Sequence, residues 1–369
     1  MTLDQLLTPA LLISPSAVDA NIDVTLRMLG GDPNRWRPHI KTAKLLSTMK
    51  QMTARGVRQF KCATTLELAT ACEARASDVL VAYPCWGPRA LRVKQIALQN
   101  PSVAVSVLVE DAGQLPAFVG SRVGIFVDVN PGGDRTGIGQ ERTRDIVALA
   151  KAVVSNGLGF RGIHYYDGHH KQANMEERTA AAHQGYRQLI ALTGAMRSAG
   201  VAVGEVVTSG TPSMPCAISF ESFREAPFVH RVSAGTVVYN DLSSLEQLPG
   251  FGYTLAALVL TTVVSKPRPG LVTCDAGHKT VSADAGYPNC AVEGHPEWEP
   301  LHASEEHLPI RIPQGSAEPQ LGDLLRLIPR HVCPTVNNFD QAVLVEGDTV
   351  LHIVAVTARG REAPQVAVG

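Results

Sequence analysis

Between about residues 30 and 240 the chain repeats a strand followed by a helix, and no other feature restricts its fold as tightly. Eight short apolar stretches carry the strand signature: Arg35–Ile40, Arg58–Ala63, Val79–Tyr83, Ala104–Val109, Gly124–Val129, Arg161–Tyr166, Glu205–Thr208 and Val229–Ala234. Such runs suit strands buried on both faces. Helical patterns lie between them at Thr42–Arg55, Leu66–Ala76, Glu141–Asn156 and Glu176–Ser198. Eight alternations predict an α/β chain with a (β/α)8 TIM-like barrel over residues 30–248. Periodicity alone also admits a doubly wound open sheet, because it does not report closure.

After residue 250 the character changes. Val259–Ser265, Leu271–Cys274, Gln341–Val345 and Val350–Ala355 read as strands joined by Pro/Gly-rich turns, with no long helix. Residues 249–369 are therefore expected to form a β-rich C-terminal domain. Residues 1–29, with the strand Ala10–Ile13, are assigned to that domain. The segment Tyr287–Gln314, with His295, Trp298, His302 and His307, reads as a polar surface loop rather than a histidine-rich metal site.

The 33 basic and 34 acidic residues leave a net charge of −1 with no long run of either sign, which excludes the charge footprint of a nucleic-acid binder or a membrane-surface protein. The longest apolar run, Tyr253–Val264, is too short to span a bilayer. The start, Met1-Thr2-Leu3-Asp4, lacks the pattern of a signal peptide. Seven cysteines at scattered positions form no C-x-x-C pair and read as reduced thiols. A cytoplasmic location is expected.

The chemistry gathers at strand ends. Arg37-Pro38-His39-Ile40-Lys41-Thr42 places a lysine at the carboxyl rim of the first strand, where barrels carry their active sites. A lysine amine forms imines with carbonyl compounds, pyridoxal phosphate among them. The seventh strand runs through Thr208 into Ser209-Gly210-Thr211-Pro212-Ser213, and the eighth into Ser233-Ala234-Gly235-Thr236. Barrels often bind phosphate in these two loops, where glycines let the backbone approach an anion. Strand five ends in Asp128-Val129-Asn130-Pro131-Gly132-Gly133-Asp134-Arg135. This turn brings Arg135 over the barrel mouth to face an anionic oxygen, or else into an ion pair with Asp128 or Asp134. On strand six, alternation aims His164 and Tyr166 to the same side. His331 and Cys333, at i and i+2 on an extended segment, point the same way and can reach one metal ion, for which imidazole and thiolate favour zinc.

These motifs together resemble fold-type III pyridoxal phosphate enzymes, which pair an alanine-racemase-like barrel with a β domain, and within them the D-threonine aldolase and D-serine dehydratase group. The segment Pro329-Arg330-His331-Val332-Cys333-Pro334-Thr335 distinguishes that group. The resemblance implies that Lys41 holds the cofactor in an imine linkage and that Arg135 faces its phenolic oxygen. Tyr166 would lie near ring or substrate. Gly210, Thr211, Gly235 and Thr236 would bind its phosphate, and Thr208 and Ser209 are counted with the cofactor-binding residues. Ser233 would stand where alanine racemases place an arginine against the pyridine nitrogen. His331 and Cys333 would bind zinc or manganese beside the cofactor. His39, His164 and Asp284 are assigned to the substrate pocket, Asp284 alternatively as a turn carboxylate. A homodimer is implied as well.

The implied reaction is cleavage of a D-β-hydroxy-α-amino acid to glycine and an aldehyde. Dehydration of such a substrate to a keto acid and ammonia is the alternative, and Cys333 favours it, since the aldolases resembled carry His-x-Asp there. An amino-acid racemase would need a second base that no residue announces. A non-catalytic pyridoxal phosphate carrier would have no use for the C-terminal domain.

Overall fold

A computed structural model describes residues 2–364. The chain divides into two compact units. One is built chiefly from Leu26–Lys41 and Met49–Gly235; the other takes residues up to Thr25, Thr42–Thr48 and Thr236–Gly360.

In the first unit, parallel strands Gln59–Cys62, Asp78–Pro84, Ala104–Val109, Gly124–Asn130, Phe160–Tyr165, Glu205–Thr208 and Val229–Val232 lie side by side in chain order. Residues 36–40 join the two outer strands. On one side the Arg37 amide donates to the Val232 carbonyl at 2.9 Å and the His39 amide to that of Ser233 at 3.3 Å. On the other, the Ile40 amide donates to the Lys61 carbonyl at 2.8 Å and the Lys61 amide to that of Pro38 at 2.9 Å. The ring therefore closes with eight members, and strand order never reverses as a doubly wound sheet requires.

Two sequence expectations need correction here. The first strand exists only as the bridge pairs Trp36–Val232 and His39–Lys61, because Pro33–Arg35 forms a 3-10 turn and Pro38 has no N–H for a ladder. The helix expected over Thr42–Arg55 does not begin at Thr42. It runs Leu46–Ala54, after a turn in which Lys44 takes φ of +40° and its amine donates to the Ala358 carbonyl at 3.1 Å.

The barrel interior is packed with Leu80, Leu108, Phe126 and Val207. At its amino-terminal end a buried ion cluster replaces apolar filling. Arg37, 0% exposed, reaches Glu205 at 2.7 and 3.0 Å and Asp78 at 2.9 Å; Arg161 adds a 2.6 Å contact to Asp78, and Arg231 pairs with Glu205.

In the second unit, Ala10–Ile13 pairs antiparallel with Ala257–Arg268 and parallel with Gln341–Glu346. Leu271–Cys274, Leu324–Pro329 and Thr349–Ala355 extend this sheet. The segment Tyr287–Gln314 is not a surface loop. It contributes Cys290–Val292, Glu299–Pro300 and Leu308–Arg311, and Val292, Trp298, Leu308 and Ile310 enter the core of the unit. Strands of two to four residues are too short to show a period in sequence. Two of its histidines find aromatic partners, His295 stacking on Trp298 at 3.8 Å and His302 on Tyr287 at 3.9 Å.

Candidate active site

Within the first unit, Lys41 comes directly after the closing segment and is partly exposed. Among the described residues its amine has no hydrogen-bond or ion-pair partner; only its backbone amide is engaged, donating to His39 Nδ1 at 3.2 Å. An uncommitted amine is what imine formation requires. His39 stays neutral: burial pushes its pKa well below the ordinary value, and the neighbouring Lys41 amine pushes it further.

Arg135 takes neither anticipated ion pair. Its guanidinium stacks 4.5 Å from the Tyr166 ring centroid, while Asp128 engages His164 and Asp134 accepts from Asn130. Arg135, Tyr166, Asp128, Asn130, His169 and Lys171 line a cavity of about 220 Å³ at the carboxyl ends of Gly124–Asn130 and Phe160–Tyr165. Asp128 Oδ2 is buried with no hydrogen-bond partner, a polar atom awaiting one.

The loop after Glu205–Thr208 is held from below. Buried Asp167 accepts from the Tyr186 hydroxyl and, at 2.7 Å, from Ser213, whose oxygen in turn receives the Gly210 amide at 3.1 Å. Ser209 takes φ of +66°, and a side chain at Gly210 would crowd the Tyr166 hydroxyl at 3.0 Å. The Thr208 hydroxyl turns to His230 at 2.8 Å. At the other loop, a Cβ on Gly235 would lie 2.1 Å from the His39 carbonyl oxygen, so only glycine fits. These two loops of small residues, with Arg135, Asp128 and the free Lys41 amine, fit a phosphorylated pyridine aldehyde.

One residue escaped sequence reading. Lys61, 1% exposed, lies inside the barrel with its amine 2.6 Å from Ser233 Oγ, 3.3 Å from His164 Nε2 and 5.1 Å from the Tyr166 ring centroid. His164 and Tyr166 thus meet the same amine. The apolar alternation around a strand lysine gives no sign of which face it takes.

In the second unit, His331 caps the helix Val332–Asn337 and Cys333 sits in its first turn, not on an extended segment. The two side chains still hydrogen-bond, and Asp284 joins them, its Oδ2 2.7 Å from His331 Nδ1. Burial lowers the His331 pKa, but Cys333 and then Asp284 outweigh it and push the value up to about 9. The Cys333 sulfur also contacts the Thr42 hydroxyl at 2.9 Å and that of Thr236 at 3.6 Å. Among the described residues no three ligand side chains form a ready metal cage. The donor set nevertheless fits a divalent ion at an open site: one imidazole turned by a carboxylate on its other nitrogen, plus one thiol.

The family model described as "Putative serine dehydratase domain" matches residues 256–345. Along nearly its whole length the chain is similar to the D-threonine aldolase of Arthrobacter sp, 28% identical over 96% of this chain and 93% of that one. It is also similar to the D-threo-3-hydroxyaspartate dehydratase of Delftia sp., 25% identical over 94% of this chain and 96% of that one. The crystal structure of D-threonine aldolase from Filomicrobium marinum superposes with a TM-score of 0.88 at 26% identity, covering 97% of both chains.

Proposed function

Because the chain belongs to the fold-type III pyridoxal phosphate family of D-threonine aldolases and D-serine dehydratases, we propose that it is a lyase cleaving D-β-hydroxy-α-amino acids to glycine and an aldehyde. The uncommitted amine of Lys41 at the barrel rim carries this reading. When bound there, pyridoxal phosphate supplies an electron sink for the bonding pair released at Cα.

The chain's own residues do the rest. Lys41 offers the amine that holds the cofactor. Arg135, fixed against Tyr166, offers a guanidinium for an anionic oxygen. Gly210, Thr211 and Gly235 would leave room for a phosphate and supply donors. His331 and Cys333 would hold a divalent metal, which would supply a Lewis acid to make a substrate hydroxyl more acidic. Asp284 accepts the His331 Nδ1–H hydrogen bond and so leaves Nε2 to serve as the ligand. In the cleavage, the β-hydroxyl loses its proton, the Cα–Cβ bond breaks, the aldehyde leaves, and Cα regains a proton to give glycine. The active unit is a homodimer, to be checked by light scattering.

Dehydration is the second reading. It is favoured by Cys333 and by the likeness to the Delftia dehydratase. Purified holoprotein with zinc or manganese is given D-threonine and D-serine separately, with and without EDTA. Glycine and acetaldehyde from D-threonine, lost in EDTA and restored by metal, is the expected result. Asp284→Ala should need about 10–100-fold more metal for that restoration. Pyruvate and ammonia from D-serine, with no glycine from D-threonine, moves the protein to the dehydratases. Turnover indifferent to EDTA overturns the metal assignment.

A further inference from the structure

Lys61 has no task in the cleavage proposed for Lys41, yet it is the most deeply buried amine of the barrel mouth. Its surroundings assign every proton. Ser233 Oγ lies 2.5 Å from the Ser209 carbonyl oxygen, which can only accept, so the serine proton goes there. His164 Nδ1 lies 2.7 Å from Asp128 Oδ1, a carboxylate oxygen that accepts, so Nδ1 carries the imidazole proton and Nε2 is left with its lone pair. Lys61 then donates twice, to Ser233 Oγ and to His164 Nε2.

A neutral amine has two N–H bonds, and both are used. The third proton of an ammonium would find only the Tyr166 ring face. Among the described residues no carboxylate pairs with Lys61, and a buried unpaired ammonium is costly. The charged groups around it are Lys41, Arg135, Asp128 and Asp167. Burial, then Lys41 and Arg135, lower its pKa well below the ordinary lysine value against the two carboxylates. His164 is kept neutral chiefly by burial.

We propose that Lys61 is an uncharged positioning residue that, together with Asp128, holds His164 in its Nδ1–H tautomer and leaves the Ser233 hydroxyl able only to accept, so that a ligand nitrogen reaching Ser233 must bring its own proton. The identity of that nitrogen rests on the cofactor reading, under which it belongs to the pyridine ring of pyridoxal phosphate. A protonated ring draws electrons more strongly, as bond cleavage at Cα requires. The hydrogen-bond chain itself belongs to the protein alone.

The test begins with apoprotein carrying 15N-labelled lysine and histidine. At neutral pH, NMR should show one lysine at the free-amine shift, lost in Lys61→Met. His164 should appear as the Nδ1–H tautomer, and its Nε2 resonance should shift in that variant, where the hydrogen bond from Lys61 is lost. If Lys61→Met does not fold, Ser233→Ala should shift the Lys61 signal while keeping it. All lysines at the ammonium shift, or a His164 signal indifferent to these variants, overturns the proposal. Holoprotein with ring-15N pyridoxal phosphate should then show a pyridinium shift, reduced in Ser233→Ala; an unprotonated ring in the unaltered protein overturns the role given to Ser233. Failure to bind the cofactor would instead sink the functional reading and leave the apoprotein result to decide the Lys61 network.

Discussion

Lys41→Ala abolishes measurable lyase turnover, with kcat/KM for D-threonine falling by about 10³-fold or more, the scale of losing a covalent and acid–base group together. The expectation rests on two features: Lys41 stands at the carboxyl rim, and its amine is bound to nothing else among the described residues. Lys41→Arg should fail equally, because a guanidinium keeps the charge but forms no imine at neutral pH. Borohydride reduction of the holoprotein followed by peptide mapping checks the assignment directly. The cofactor mass should appear on the peptide holding Lys41. A label on Lys61 instead would exchange the roles of the two amines and overturn the assignment.

Arg37→Ala destabilises the barrel by about 3–5 kcal/mol, the cost of leaving buried carboxylates without their partner. Arg37 is fully buried and serves two acids at once, gripping Glu205 with two nitrogens and Asp78 with a third. Denaturant titration of both proteins measures the loss; a difference below about 1 kcal/mol, the range of exposed ion pairs, would refute it. Arg161→Ala should cost less, since Arg161 is partly solvent-exposed and Arg37 remains. The cluster also sets an acid limit. Burial alone would raise the Asp78 pKa, but Arg37 and then Arg161 overcome it and hold the value at about 2. A depressed carboxylate pKa stabilises the fold above the unfolded value of about 3.9. That contribution is lost as pH falls from there through about 2, and it should be reduced in the acid titration of Arg37→Ala, where only Arg161 remains beside Asp78.

The fold was legible in sequence because eight buried strands and their helices write a rhythm that local chemistry can read. Strand ends were legible too, since Lys41, Arg135 and the two small-residue loops each stand just past an apolar run. Local signals misled where the backbone departs from them. Thr42–Leu45 has helix-compatible residues but forms a turn, and the Tyr287–Gln314 strands are shorter than one alternation can reveal. What could not be read was pairing across the chain. Lys61 meets His164 from 103 residues away and Ser233 from 172, and Arg37 meets Glu205 from 168. Nothing local distinguishes these residues from surface lysines and arginines, because their meaning lies in a partner on a distant strand. Asp284 and His331, 47 residues apart, are a shorter case of the same blindness.

The way residues 36–40 close the ring has a consequence for how the protein is born. This segment is held on one flank by Gln59–Cys62, available early, and on the other by Val229–Val232, nearly two hundred residues later. During synthesis the seam stays half-sewn until the last barrel strand has emerged, and such long-range closure is slow. Lys41 is the first residue beyond that seam. The amine proposed to hold the cofactor therefore reaches its final setting only in the closing act of folding, and a nascent or truncated chain lacking Val229–Val232 has no closed rim on which to present it.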